Sequence, residues 1–455
     1  MNIPSIFNNV LGPVMRGPSS SHTAASVRIG LLARSLLGEE PVYARFTFDP
    51  RGSLATIYRE QGSAMGLAAG LLAMDIADRD MIKAEDICRE KNLAIEYKTE
   101  KFNDGHPNIY NTCIRGISGK EINFMAISRG GGIISLAELN GEKVEDDLDF
   151  INPLMPVRLR RDPAVPFKDY NDLVSMLERD GSLLSDFAIK YETGVGELSD
   201  DNLLALARSH ICIMREAISE GLAGTEYEDR LLPGQSHLFS KLPQKGQLIP
   251  SDLTNKIIQA VTAVMEVKSS MGLIVAAPTA GSCGTLPGVL VPSAEATFKT
   301  EQQMMKALLA AGLTGVFIAG ASGFAAEEGG CQNECGAASG MAAAALVELM
   351  GGGGVMSLNA ASMALQNTLG MICDPVAGRV EVPCLGKNVM AALNALAAAN
   401  MVLAGYDHVL PLDEVLEAMK EVGNDMNHKY RCTCKGGLST TATSRRIQQN
   451  LKPQK

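Results

Sequence analysis

Three cysteines of this 455-residue chain stand where a chain must bend. Cys331 follows Glu327-Glu328-Gly329-Gly330, Cys373 opens Cys373-Asp374-Pro375-Val376-Ala377-Gly378, and Cys384 closes Val382-Pro383-Cys384. Cysteines that merely fill a core have no reason to favour turns. Ligands of an inorganic cluster do, because the backbone must wrap a compact centre and offer amides to its sulfurs. Thiolates without neighbouring histidines point to iron–sulfur or zinc rather than copper. Zinc has its own pairing here, Cys331 and Cys335 with Cys432 and Cys434, as a four-thiolate structural site. That pairing leaves Cys373 and Cys384 without a role, and a chain this long needs no metal to build its core.

Two loops carry hydroxyls beside helix starts. Gly17-Pro18-Ser19-Ser20-Ser21-His22-Thr23 puts three serines, a histidine and a threonine between a turn and a helix. Hydroxyls and free amides at such a place suit a carboxylate or phosphate, and a histidine can move protons near neutral pH. Ala277-Pro278-Thr279-Ala280-Gly281-Ser282-Cys283-Gly284-Thr285 has the same character, with Cys283 a small buried thiol. A further histidine lies in Asp104-Gly105-His106-Pro107-Asn108, and Gly130-Gly131-Gly132 gives bare backbone after a strand. Taken singly, each of these reads equally well as an ordinary capping loop or turn.

The elements that must position these groups form two regions. Pro41 to Asp49 and Asn123 to Ser128 alternate as strands, and Thr23 to Leu37 has helical periodicity. The expected fold is an α+β N-terminal domain, 1–152, followed by a larger, mainly α-helical domain, 169–455. Residues 153–168, with Pro153, Pro156, Pro163 and Pro166 spanning the stretch, read as the linker. In the second domain, helices are expected from Asp172, from an Asp201 N-cap through Asn202 to Glu220 with a stop at Gly221, over Thr254 to Val267, and over Asp413 to Val422.

Composition narrows the function classes. With 51 acidic and 41 basic residues the net charge is −10, which argues against nucleic acid as partner. Trp is absent and aromatics are 5%, so stacking platforms are not expected. Met1 to Val10 lacks a basic segment followed by an apolar run, so the ten cysteines are read as reduced, in a cytoplasmic protein. The uncharged stretches Ala307 to Ala326, Leu349 to Cys373 and Val389 to Tyr406 approach a membrane span in length. They are rich in Ala, Gly and Ser and carry Asn359, Gln366, Asn367 and Asn394. They therefore read as buried helices of a tightly packed core, with no membrane partner.

At this point the chain resembles the bacterial iron–sulfur-dependent L-serine dehydratases over nearly its whole length. The resemblance rests on Gly17 to Thr23, Gly52-Ser53-Leu54-Ala55, His106-Pro107-Asn108, Ser270-Met271-Gly272 through Pro287, the three cysteine turns with their gaps of 42 and 11 residues, and Gly436-Gly437-Leu438, all in order. It implies a 4Fe–4S cluster on Cys331, Cys373 and Cys384 with one iron open to substrate. It implies an ammonia-lyase reaction without pyridoxal phosphate, most simply L-serine to pyruvate and ammonia. Within it, Ser19, Ser20, Ser21, Thr23, Asn108, Thr279, Gly281 and Ser282 are the expected substrate contacts, and His22 or His106 moves the proton. The small domain must then fold over the cluster. A homo-oligomer, by default a dimer, acting on a small amino acid completes the expectation.

Two departures from the family pattern matter. Where a His-Gly-Thr-Asp element is expected, the chain reads Gln61-Gly62-Ser63-Ala64, and an amide cannot act as a base. This keeps L-cysteine and L-threonine as alternative substrates, beside a third reading as an inactive zinc- or cluster-bearing sensor. Second, no cysteine follows Cys434, so the fourth iron is expected open, with capping by Cys432 or Cys434 the alternative.

Overall fold

The computed structural model describes residues 3–102, 106, 108–228, 230–241 and 248–451. An N-terminal α/β region precedes a mostly helical C-terminal region, in agreement with the sequence.

The α/β region is built on one mixed sheet. After a short β1 (Val14–Met15) come β2 (Pro41–Phe48), β3 (Ala94–Thr99), β4 (Ile109–Gly116), β5 (Glu121–Gly130), β6 (Ile133–Leu139) and β7 (Glu142–Lys143). The sheet order is β3-β2-β4-β5-β6-β7, with only β2 and β3 parallel. That parallel step is the one whose connection is long enough to hold helices. Buried Phe46, Phe48, Tyr110 and Ile114 come from its central strands. Against the sheet lies helix Ala25–Leu37, and beside that Ser63–Leu71. The two helices meet through glycines: a Cβ on Gly30 would sit 2.6 Å from the Leu67 carbonyl oxygen, and one on Gly66 2.5 Å from that of Thr23. This close approach brings together the loops that precede the two helices, which carry Ser19 to Thr23 and Gln61.

The helical region has small residues at its centre. Glu301–Ala321 packs on Cys335–Met350, which packs in turn on Gly354–Gln366 and Cys384–Leu403. Ala337, Ala338, Ala342, Ala343, Ala344 and Ala345 are all fully buried. Among the described residues one helix, Glu301–Ala321, is long and apolar enough to cross a membrane, and most of it is buried inside the protein.

Two helix starts differ from the sequence reading. Ser199, not Asp201, caps the helix Asp200–Ala223, its Oγ accepting from the Asn202 amide at 3.3 Å. Asp200 and Asp201 then fall in the first turn, where acidic groups complement the helix dipole. The helix also runs through Gly221, because the missing Cβ admits the neighbouring backbone at Ala263. Likewise Asp169 caps Tyr170–Asp180 by accepting from the Asp172 amide at 2.9 Å.

Residues 5–8 pack on the helical region rather than on the sheet. Glu192 accepts from Ser5 Oγ at 2.5 Å and from the Ile6 amide at 2.7 Å, and Asn8 exchanges two hydrogen bonds with the Val157 backbone. β1 then pairs antiparallel with β8 (Ile274–Val275). The β1–β8 pairing thus fastens the chain immediately before both the Gly17–Thr23 and the Thr279–Ser282 loops.

Candidate active site

A small cleft lies where the two regions meet, lined by Ser19, Ser21, Gln61, Gly281, Glu327, Glu334, Cys373, Cys384 and Cys432 among others. Its wall comes from six separated stretches of chain.

The first is a π-helical turn, Ser20–Ala24, capped by Ser19, whose Oγ accepts from the His22 amide. The four hydroxyls here do different work. Ser20 Oγ accepts from the Ala280 amide at 3.1 Å and so docks this loop on the Thr279–Ser282 loop. Thr23 Oγ1 donates to the Gln61 carbonyl at 2.9 Å. Ser19 and Ser21 face the cleft, and both stand 3.2 Å from His22 Nδ1. The other ring nitrogen of His22 meets Ser53 Oγ at 3.1 Å. The imidazole is 1% exposed. Burial pushes its pKa below the ordinary value, against a weaker pull from Glu327, so it is neutral near pH 7.

On the opposite wall, Thr279 Oγ1 donates to Glu334 at 2.8 Å. Ser282 turns inward to hydrogen bonds within its own loop, to Thr279 and Ala277. Gly281 leaves room for Glu334, whose Oε1 a Cβ would approach to 2.8 Å. Burial, reinforced by Cys331 and Glu327, pushes the Glu334 carboxyl up to about 8.

The thiols gather between these walls. Cys331 lies in a 3-10 turn, Gly330–Asn333, buried beside Cys335, which starts the next helix. The Cys335 S–H bonds to Cys331 and, with help from Lys387, brings Cys331 down to about 7 despite burial. Cys373 is tied to the C-terminal segment by two backbone bonds, Cys373 N–H to Tyr430 O at 2.8 Å and Cys432 N–H to Cys373 O at 3.0 Å. Its S–H bonds to Cys432, and that bond followed by burial raises its pKa. Burial pushes Cys384 up to about 12. Between Cys373 and Cys384 the chain turns through Ala377 and Gly378 at φ 51° and 73°, and a non-glycine residue in that region is strained, a feature that concentrates at functional sites. Lys387 donates to Ile372 O at 2.6 Å and to Asp374 at 2.9 Å. Burial disfavours its ammonium, but Cys331, Cys373 and Asp374 outweigh burial and raise its pKa.

The structure therefore brings Ser19, Ser21, Gly281, Cys331, Cys373 and Cys384 to one place, with Ser20, Thr23, Thr279 and Ser282 building the loops that hold it. His106 is not among the lining residues. Its Nδ1 accepts from the Asn108 amide at 3.1 Å and its Nε2 meets Glu328 at 3.0 Å. Asn108 is buried beside Ser53; Asp104, Gly105 and Pro107 lie outside the described residues. Of the two C-terminal cysteines, Cys432 lines the cleft and Cys434 stands behind it. The sequence reading gave no role to Glu327, Glu334, Lys387 or Asn388. A carboxylate three residues after a cysteine carries no local sign that it will be buried; only the fold reveals it.

A thiol- and carboxylate-lined cleft between a helical body and an α/β region is joined by a match to known proteins that places the chain among lyases of the dehydratase type. Residues 164–439 match the model of the serine dehydratase alpha chain family, and the chain belongs to that family. It is 37% identical over 285 residues to a probable L-serine dehydratase alpha chain of Bacillus subtilis (strain 168), covering 63% of this chain and 95% of that one. It is 29% identical over 460 residues to L-serine dehydratase 2 of Escherichia coli (strain K12), covering 93% and 96%. A match of the same extent, 29% over 465 residues, links it to the L-serine dehydratase of Streptomyces coelicolor.

Proposed function

We propose that this protein is an iron–sulfur-dependent L-serine dehydratase, converting L-serine to pyruvate and ammonia. The observation that carries the reading is the meeting of Cys373 and Cys384, with Cys331 buried nearby, with a hydroxyl loop and two buried carboxylates around one cleft. The names of the relatives that align with nearly the whole chain favour L-serine over L-cysteine or L-threonine.

The donor set fits a cluster. Cys331, Cys373 and Cys384 would hold it, with Cys335 and Cys432 as further thiols beside Cys331 and Cys373 and Lys387 offsetting the thiolate charge. Among the described residues no three His, Cys, Asp or Glu side chains converge tightly enough for a single ion. Thiols carried on separate turns are the residue type that would hold an iron–sulfur cluster. When bound, such a cluster supplies Lewis acidity toward the substrate hydroxyl, making it a better leaving group.

The chain's own groups do the rest. The hydroxyl of Ser19 is available to the substrate carboxylate. Neutral His22, whose Nδ1 lies 3.2 Å from the Ser19 and Ser21 hydroxyls, is the base that takes the Cα proton. Loss of that proton and of the β-hydroxyl as water gives aminoacrylate, which tautomerises to the imine and hydrolyses to pyruvate and ammonium. Burial of the cleft keeps bulk water from the reacting carbon. The same reading takes 1–152 as the small unit, 153–168 as linker and 169–455 as the catalytic unit. It assigns the protein to the cytoplasm, where its ten free thiols stay reduced, as a homodimer without nucleic-acid or membrane partners.

Anaerobic purification tests the reading. The expected protein is brown, forms pyruvate from L-serine faster than products from L-threonine or L-cysteine, and loses colour and activity together in Cys373→Ala. His22→Ala should keep its iron and lose turnover. A colourless protein, or one whose Cys373→Ala variant keeps its iron, would refute it.

A further inference from the structure

Glu327 is a cleft residue that the proposed reaction leaves unused. It is 5% exposed and lines the cleft. Its Oε1 accepts from Ser21 Oγ at 3.2 Å and stands 3.7 Å from His22 Nδ1. Its Oε2 is buried and has no hydrogen-bond partner among the described residues. A buried carboxylate oxygen without a partner is costly, and a cation with N–H groups is what relieves it. Among the described residues none reaches this oxygen. His22 is neutral, and Lys387 is committed to Asp374 and the Ile372 carbonyl. The other cleft carboxylate, Glu334, is already engaged by Thr279.

We infer that Glu327 is a substrate-binding residue, whose Oε2 receives the α-ammonium group of the amino-acid substrate. An ammonium brings three donors and a full charge to that oxygen. The substrate carboxylate hangs from the same carbon, and Ser19, on the same wall, supplies a hydroxyl to it. The cleft thus matches a zwitterion, two opposite charges one carbon apart, and selects against hydroxy acids that lack the amine. This inference rests on the dehydratase reading and adds the determinant of its amino-acid specificity.

The test uses the cluster-loaded protein under anaerobic conditions and two unreactive probes, L-alanine and propionate, which differ only in the ammonium. Calorimetric titration of the wild-type protein should give L-alanine at least tenfold tighter binding than propionate, a comparison that needs no variant. In Glu327→Gln, with iron content and visible absorption unchanged, the two should bind within about twofold of one another. KM for L-serine should rise about tenfold to a hundredfold, the range for losing a charged hydrogen bond. A wild-type protein indifferent to the amine, or a Glu327→Gln variant that keeps the tenfold preference, overturns the assignment while leaving the dehydratase reading intact. A wild-type protein that neither binds L-alanine nor turns over L-serine overturns both.

Discussion

Asn388 joins the pieces of the cleft more completely than any residue that lines it, and its removal tests whether the site is held by tertiary hydrogen bonds. It is fully buried on the helix Cys384–Leu403. Its Oδ1 accepts from the amides of Gly284 and Thr285, both at 3.1 Å, and from Thr285 Oγ1 at 3.0 Å. Its Nδ2 donates to Gly281 O and Cys384 O, both at 2.8 Å, and reaches Cys335 Sγ at 3.6 Å. One amide therefore ties the start of helix Thr285–Ala296 and the Thr279–Ser282 loop to two cysteines. In Asn388→Ala the two amide donors lose their acceptor in a site closed to water. At about 1–3 kcal/mol for each unsatisfied buried donor, the loss is about 4 kcal/mol. Asn388→Asp should be no better, because it turns an oxygen toward two carbonyls and a thiol. Urea unfolding of the cofactor-free protein, followed by far-ultraviolet circular dichroism, measures the loss, and iron per chain after anaerobic reconstitution measures its effect on the thiols. An Asn388→Ala protein within about 1 kcal/mol of wild type, holding iron as well, would refute the argument that this amide organises the site.

Two other perturbations probe the same architecture. The Glu334 carboxyl, raised from its ordinary 4.5 to about 8 in the fold, contributes stability that is complete below pH 4.5 and lost as pH rises through 8; by linkage the difference is at most about 5 kcal/mol. Glu334→Gln mimics the protonated form, so relative to wild type the cofactor-free variant should gain stability steadily from pH 5 to pH 8; a difference independent of pH would show that Glu334 is not raised. Gly70→Ala places a methyl against the Val27 carbonyl and the Gly30 backbone, so it should destabilise the α/β region by about 1–3 kcal/mol and move Gln61 away from the Ser19–Thr23 loop. An unchanged melting temperature in that variant would mean that the two helices are free to separate.

Much of the fold was legible because it rests on local pattern. The alternation of β2 and the periodicity of Ala25–Leu37 were visible, and so were the small-residue helices Glu301–Ala321 and Cys384–Leu403, whose composition ruled them core rather than membrane. Helix starts were less so. The Ser199 and Asp169 caps lie one or more residues from plausible rivals, and the choice between adjacent capping side chains depends on where packing ends the helix. At the site, turn-borne cysteines and hydroxyl loops announced themselves by residue type. Glu327 and Glu334 did not, because an acidic residue reads as solvent-facing until its neighbours are known. Gln61 stood out as a substitution, but its place on the cleft wall, 3.8 Å from Cys432 Sγ, comes only from folding.

Residue types and their order were enough to determine which groups carry chemistry and that thiols outnumber histidines among them, because turns, caps and periodicity are encoded within a few residues of where they act. What the tertiary structure alone decided is which of those groups share a cavity. Residues 19, 61, 281, 327, 373 and 432 come from six stretches of chain, and their meeting depends on glycine-mediated helix contact, the Glu192 anchor of the N-terminal segment and the Asn388 bridge. Each of those is a contact between residues distant in sequence, and local sequence pattern carries no signal for it.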